Sequence, residues 1–184
     1  MARRVVLVLA DGLRPDALTP GLMPSLHSLG EGYARARDAR TVRPSVTVAA
    51  LASLATGVGP ATHRLTEPGL GFLPGLRRLR PLAGELARAH LPTAIICAKL
   101  GAAPRSIAWG VHPKDHDLPH LVNDRITLIL GGHAVRRSRA LERDVSILDV
   151  PPTVLWYLGL PLPVSYEGRV LHDAFEPAPA MAVA

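Results

Sequence analysis

A short apolar run, Val5–Ala10, ends abruptly at Asp11, which is followed by Gly12. A run of this length is typical of a fully buried strand in a parallel sheet. Open α/β sheets bind their ligands at the carboxyl ends of such strands, and a core does not tolerate an unpaired carboxylate. Asp11 is therefore either a metal ligand or catalytic acid at the sheet edge, or a turn residue, because Asp-Gly is also a turn pattern.

The length of 184 residues predicts one domain over residues 1–176, with residues 177–184 as a disordered tail. The one cysteine, Cys97, excludes an internal disulfide and lies in an apolar run that favours the core. Asp11 interrupts the first apolar run too early for a signal peptide, and no later stretch is long enough to span a membrane. We expect a soluble, cytoplasmic protein without a membrane partner.

The formal net charge of +6 raises the alternative of a nucleic-acid binder. The basic residues are scattered, however, and the two densest groups, Arg77–Arg80 and Arg136–Arg139, contain no interleaved aromatic residues on which bases could stack. We therefore expect no nucleic-acid partner. A basic surface would still attract an anionic phosphate substrate.

Strand-like and helix-like segments alternate along the chain. The predicted strands are Arg4–Ala10, Ala34–Val42, Thr93–Ala98 and Ile126–Leu130. The predicted helices are Met23–Leu29, Val48–Ala55, Leu82–His90 and a final helix capped by Asp149 and ended by Gly159. This order predicts an α/β fold with a mostly parallel sheet and helices on both faces.

Hydroxyl residues precede the second predicted helix in the segment Arg43–Thr47. A Ser or Thr at a helix start is usually an N-cap that accepts a backbone N–H. The same geometry also makes an anion site, because free N–H groups and the helix dipole favour a phosphate oxygen. A hydroxyl there can attack phosphorus when a metal lowers its pKa.

Four strings occur in an order that resembles one enzyme family: VVLVLADGLRPDAL, MPSLHSLGEG, RPSVTVAALASLATGVGPATHRL and VSILDVPPTVLWYLGLPLPVSYEGRVLHDAF. The chain resembles the type I phosphodiesterase/nucleotide pyrophosphatase family of the alkaline phosphatase superfamily. The resemblance implies an alkaline-phosphatase-like three-layer sandwich. Family members are considerably longer, and the missing length falls between Gly101 and His120, so we expect a truncated version.

The resemblance also implies a two-metal site, usually of zinc, with ions roughly 3.5–4 Å apart. It makes Thr47 the nucleophile, with Thr41 and Ser45 as weaker candidates. Carried over to this sequence, the metal ligands are Asp11, Thr47, Asp115, His116 and His120. Asp115 and His116 are either a compressed form of the family's Asp-His pair or part of a solvated polar loop.

The sequence also suggests roles for His63, Asp149 and His133. His63 and Asp149 match family positions that we interpret as structural. His133 follows a predicted strand and is a possible extra metal ligand, although the family has a turn without a ligand there.

The favoured hypothesis is a metal-dependent hydrolase of small phosphate esters that uses a threonine nucleophile. The alternative is a catalytically impaired remnant that binds a metal, a nucleotide or a partner protein. A third possibility is an incomplete product of a longer gene. Lost coverage of the sheet would favour a homo-oligomer.

Overall fold

The computed structural model describes residues 3–10, 13–66, 79–94, 124–141 and 144–177. Within these ranges, the sheet contains two strands. β1 (Ala34–Arg40) pairs with β2 (Arg125–Leu130) in the antiparallel sense, with Ala34 opposite Leu130 and Arg40 opposite Arg125. A bulge between Ala36 and Ala39 interrupts this register. The chain is of mixed α/β class, as predicted, but the strand pair that is described runs antiparallel.

The second edge of β1 is covered by the segment that follows β2. The N–H of Arg35 donates to the carbonyl of Arg139 over 2.8 Å, and the N–H of Leu141 donates back to Arg35 over 2.9 Å. Farther along, the N–H of Arg40 donates to the carbonyl of Val145 over 2.7 Å. These contacts form isolated parallel bridges, so β1 lies between two chain segments and its alanines are buried.

The described ranges contain five α-helices: α1 (Pro24–Gly32), α2 (Thr47–Thr56), α3 (Pro60–His63), α4 (Leu82–Arg88) and α5 (Val150–Leu158). Short 3-10 helices occur at Pro15–Ala17, Ile147–Asp149 and His172–Ala174. Proline lies in the first two positions of α1, α3 and α5, where its missing N–H leaves no hydrogen bond unmade. Within the described ranges, no helix is both long and apolar enough to cross a bilayer.

Among the residues that the structure describes, two apolar clusters form the core, and both pack against the β2 residues Ile126 and Leu128. The first cluster is built on the alanines of β1 and on Val145, Leu171 and Phe175. The second lies between α2 and the start of α5 and contains Val42, Ala49, Leu54, Ile147 and Val150. The shared β2 residues connect the helix that begins at Thr47 to the sheet.

The prediction of a buried strand at Arg4–Ala10 is wrong for the structure described here. Residues 3–10 form no strand, and Val6 and Val8 are 87% and 81% exposed. A strand needs a hydrogen-bonded neighbour, and no described strand pairs with this segment. Arg3 anchors this segment, because its Nη1 donates to the carbonyl of Tyr157 over 2.7 Å.

The other predicted elements agree with the structure to within three residues wherever they are described. Of the predicted strand Thr93–Ala98, only Thr93 and Ala94 are described, and neither is in a strand. Residues 178–184 of the predicted tail lie outside the described residues.

Candidate functional site

Thr47 is the first residue of α2, a helix of 10 residues. The preceding residue, Val46, has extended backbone and gives no side-chain cap, and the N–H of Ala50 closes the first turn on the Val46 carbonyl over 3.0 Å. The N–H groups at a helix start and the aligned peptide dipoles together produce positive potential. The half-buried Thr47 hydroxyl therefore lies where an anion is electrostatically favoured.

Asp124 anchors the loop that leads into α2. Its Oδ2 accepts from Nη2 of Arg43 over 2.6 Å and from Nη1 of Arg40 over 3.4 Å. Its carbonyl accepts the N–H of Thr41 over 2.9 Å. The hydrogen bond from Arg43 lowers the pKa of the Asp124 carboxyl, so this anchor is ionised at neutral pH. No sequence pattern indicates Asp124, because no spacing rule connects residues that lie 81 positions apart in the chain.

A buried histidine connects α2 to α3. Nε2 of His63 lies 2.9 Å from Oγ of Ser53, and Nδ1 of His63 accepts the N–H of Leu65 over 2.9 Å. Because Nδ1 is an acceptor, the ring proton is on Nε2, and Nε2 donates to the serine hydroxyl. Burial lowers the pKa of His63, which keeps the ring neutral. This arrangement agrees with a structural role for His63.

The C-terminal part of the chain supports the end of α2. Gly57 ends the helix with φ +69°, and a Cβ at this position would lie 2.6 Å from the ring of Tyr166. Glu167 accepts the N–H of Gly59 on Oε2 over 2.9 Å and the hydroxyl of Thr62 on Oε1 over 2.6 Å. The N–H of Glu167 donates to the carbonyl of Gly57 over 2.8 Å. The third and fourth of the four sequence strings that resemble the family, which contain Gly57 and Glu167, are therefore in direct contact.

Asp149 has a different capping role from the one predicted. Its Oδ2 accepts the N–H of Ser146 over 2.9 Å, and its Oδ1 accepts the N–H of Arg169 over 2.8 Å. The carboxylate makes no cap to α5; it completes a capping box around the 3-10 turn Ile147–Asp149. The predicted cap on the final helix does not form, because the 3-10 turn directs the Asp149 side chain backward to Ser146. Both oxygens of a 4% exposed carboxylate are satisfied, as in a structural residue.

The structure places only one of the five predicted metal ligands, Thr47. The other four, Asp11, Asp115, His116 and His120, lie outside the described residues. Among the residues that are described, no three His, Cys, Asp or Glu side chains are grouped as a metal site.

The weaker candidates are all described. Thr41 and Ser45 are half-buried in the loop before α2. His133 lies exposed in the turn after β2.

One comparison with known proteins found a match. The family model for type I phosphodiesterase / nucleotide pyrophosphatase matches residues 5–68, a range that contains α1, β1, α2 and α3. No curated protein and no solved structure matched the chain. The matched range includes the positions of both Asp11 and Thr47. Residues 5–68 therefore carry the sequence pattern of the type I phosphodiesterase/nucleotide pyrophosphatase family, which confirms the resemblance over that part of the chain.

Proposed function

We propose that this chain is a metal-dependent hydrolase of small phosphate esters, of the phosphodiesterase/nucleotide pyrophosphatase type, with Thr47 as its nucleophile. The observation that carries the proposal is the coincidence of two features at one residue. Thr47 lies within the range matched by the family model, and it begins a helix of 10 residues. A helix of this length supplies N–H groups and dipole potential at the site of attack.

In the proposed reaction, Oγ of Thr47 attacks phosphorus in line with the leaving group. The new bond joins Oγ to phosphorus, the ester P–O bond breaks, and the alcohol departs with a proton. Water then attacks the phosphorylated threonine, which regenerates the hydroxyl and releases the phosphate product. Charge on the phosphoryl oxygens is the main feature that a protein must stabilise in such a transfer.

The proposed metal ligands are Asp11, Asp115, His116 and His120, together with the Thr47 hydroxyl. Their mixed oxygen and nitrogen donors suit zinc. A bound divalent ion would supply Lewis acidity and lower the pKa of a coordinated hydroxyl. Of this proposed set, Thr47 lies within the described residues, at the start of α2.

Arg43 is a proposed positioning residue for the substrate. Its side chain is 76% exposed, lies four residues before Thr47 and is paired with Asp124. A guanidinium held in this way presents donors that match phosphate oxygens geometrically. The pair with Asp124 restricts the guanidinium and so reduces the entropy lost on binding.

A second candidate function is that of an impaired family remnant which acts through interactions with a partner or a second copy. The exposed apolar residues Val6 and Val8 favour it, because contiguous exposed apolar surface is typical of interaction sites. Tightly bound zinc in a stoichiometry of two per chain, together with hydrolysis, would support the enzyme. Concentration-dependent self-association without hydrolysis would support the remnant.

The proposal is tested with the full chain, added zinc and a chromogenic phosphodiester. Thr47→Ala should abolish zinc-dependent hydrolysis, whereas Thr41→Ala and Ser45→Ala should retain it. Thermal unfolding of each variant would show that the fold is intact. Full activity in folded Thr47→Ala would overturn the mechanism.

A further inference from the structure

A small cavity lies between the 3-10 turn Pro15–Ala17, α1, β1 and β2. Its volume is about 110 Å³, and it is lined by Pro15, Leu18, His27, Arg35, Arg37 and Thr127. Pockets for drug-sized ligands are larger, at roughly 300–1,000 Å³. A cavity of this size and polarity fits a small polar ligand rather than a nucleotide.

Arg35 is the buried cation of this cavity. Its side chain is only 8% exposed and packs against Gly30, where a Cβ would lie 2.9 Å from both Cδ and Nη1 of Arg35. Nη2 of Arg35 donates to Oε1 of Glu31. Among the described residues, none accepts a hydrogen bond from Nε or Nη1 of Arg35. A guanidinium has five N–H donors, and buried donors normally have partners, so Arg35 can accommodate a further acceptor.

The charges around the cavity do not balance. Oε1 of Glu31 also accepts from Nη2 of Arg37 over 3.0 Å, and Nε2 of His27 lies 4.0 Å from the same oxygen. Two guanidinium groups therefore share a single carboxylate, which leaves an excess of positive charge. The carboxylate of the 3-10 turn, Asp16, is held by both Nε and Nη2 of Arg14.

We propose that this cavity binds a small oxyanion of the phosphate class. Arg35 and Arg37 on β1 supply charge and N–H donors, and the Thr127 hydroxyl supplies a neutral donor from the neighbouring strand β2. Bidentate guanidinium contacts to tetrahedral oxyanions are among the stronger charge-assisted hydrogen bonds in proteins. Thr47 does not line this cavity, and occupation of the cavity does not depend on the proposed hydrolysis.

Isothermal titration of the full chain with inorganic phosphate tests the proposal. The solution contains EDTA, and chloride keeps the ionic strength constant. Wild-type protein should show saturable binding at one site per chain. Arg37→Ala is the principal variant, because Arg37 is 72% exposed and its removal leaves the core intact. It should raise the Kd about tenfold, which corresponds to about 1.4 kcal/mol.

Two further variants make the result specific. Thr127→Val keeps the shape of the side chain but removes the hydroxyl, and it should also weaken binding. Arg125→Ala is the matched control, since Arg125 is likewise an exposed arginine in an ion pair, with Asp38 at 3.1 Å, and does not line the cavity. It should leave the Kd unchanged.

Three outcomes would overturn the proposal. The first is the lack of saturable phosphate binding by wild-type protein. The second is an equal loss of affinity in Arg125→Ala and Arg37→Ala, which would indicate a diffuse charge effect. The third is binding that Thr47→Ala abolishes and Arg37→Ala does not, which would place the phosphate at α2.

Discussion

Nε2 of His63 lies 2.9 Å from Oγ of Ser53, so a buried histidine joins the short helix α3 to the helix that begins at Thr47. The other ring nitrogen, Nδ1, accepts the N–H of Leu65. A second ring proton, on Nδ1, would therefore have no hydrogen-bond acceptor. Protonation of His63 would bring an N–H against an N–H in a buried position. The connection therefore requires a neutral ring.

This requirement predicts a pH dependence of stability. Burial, the largest cause, lowers the pKa of His63 below its ordinary value of 6.5, and it outweighs the opposing effects of the Ala49 backbone and Glu167. Between the lowered pKa and 6.5 the unfolded chain binds more protons, so the free energy of unfolding rises with pH in this window and falls on acidification. Urea unfolding at pH 5 and pH 7 should show a larger loss for wild type than for His63→Gln. Equal losses would contradict the neutral ring.

The contact between Gly57 and Tyr166 predicts an unusually costly glycine substitution. Gly57 and Gly159 both end helices with positive φ, at +69° and +77°. A Cβ at Gly57 would collide with the Tyr166 ring, whereas nothing lies within 4 Å of one at Gly159. Gly159→Ala should therefore cost about 1–2 kcal/mol from left-handed backbone alone. Gly57→Ala should cost more, and similar unfolding free energies for the two variants would contradict the packing of Tyr166.

Glu167 and Thr62 should be energetically coupled. The Glu167 carboxylate accepts both the Gly59 N–H and the Thr62 hydroxyl, and it joins the C-terminal segment to the residues after α2. A double-mutant cycle with Glu167→Ala and Thr62→Val should give a coupling of about 0.5–3 kcal/mol in the free energy of unfolding. Simple additivity of the two substitutions would show that the hydrogen bond contributes nothing.

Arg43 and Arg40 offer a matched test of substrate positioning. Both guanidiniums reach Oδ2 of Asp124, but Arg43 belongs to the loop that leads into Thr47, whereas Arg40 ends β1. If the chain hydrolyses phosphate esters as proposed, Arg43→Ala should raise KM several-fold with a smaller effect on kcat. Arg40→Ala should leave KM nearly unchanged. Steady-state kinetics with the same diester measures both variants. Equal changes of KM in Arg43→Ala and Arg40→Ala would show that Arg43 has no positioning role.

Local patterns predicted much of the fold. The small-residue helix predicted over Val48–Ala55 is observed at Thr47–Thr56 and ends at Gly57. This helix and the extended segment that begins at Ala34 follow from periodicity and from glycine chemistry, which act over a few residues. The strand at Arg4–Ala10 was predicted from apolar character alone. Strand formation also depends on a partner distant in sequence, and that dependence is invisible in the run itself.

The candidate site was predictable only in part for the same reason. The family resemblance identified Thr47, because its motif is continuous in sequence. The resemblance gave no indication of the ion pair between Asp124 and Arg43, or of the cavity lined by Arg35, Arg37 and Thr127. These groups are brought together by the antiparallel pairing of β1 with β2, which joins residues about ninety positions apart and was not predicted.

The central claim, that Thr47 is the nucleophile, is tested most directly by trapping the intermediate. Acid quenching during zinc-dependent turnover of a phosphodiester, followed by proteolysis and mass spectrometry, should find the substrate's phosphoryl group covalently bound to Thr47. The adduct should be missing from Thr47→Ala. Turnover at the wild-type rate by Thr47→Ala, or an adduct on another residue of the active wild-type chain, would contradict the account.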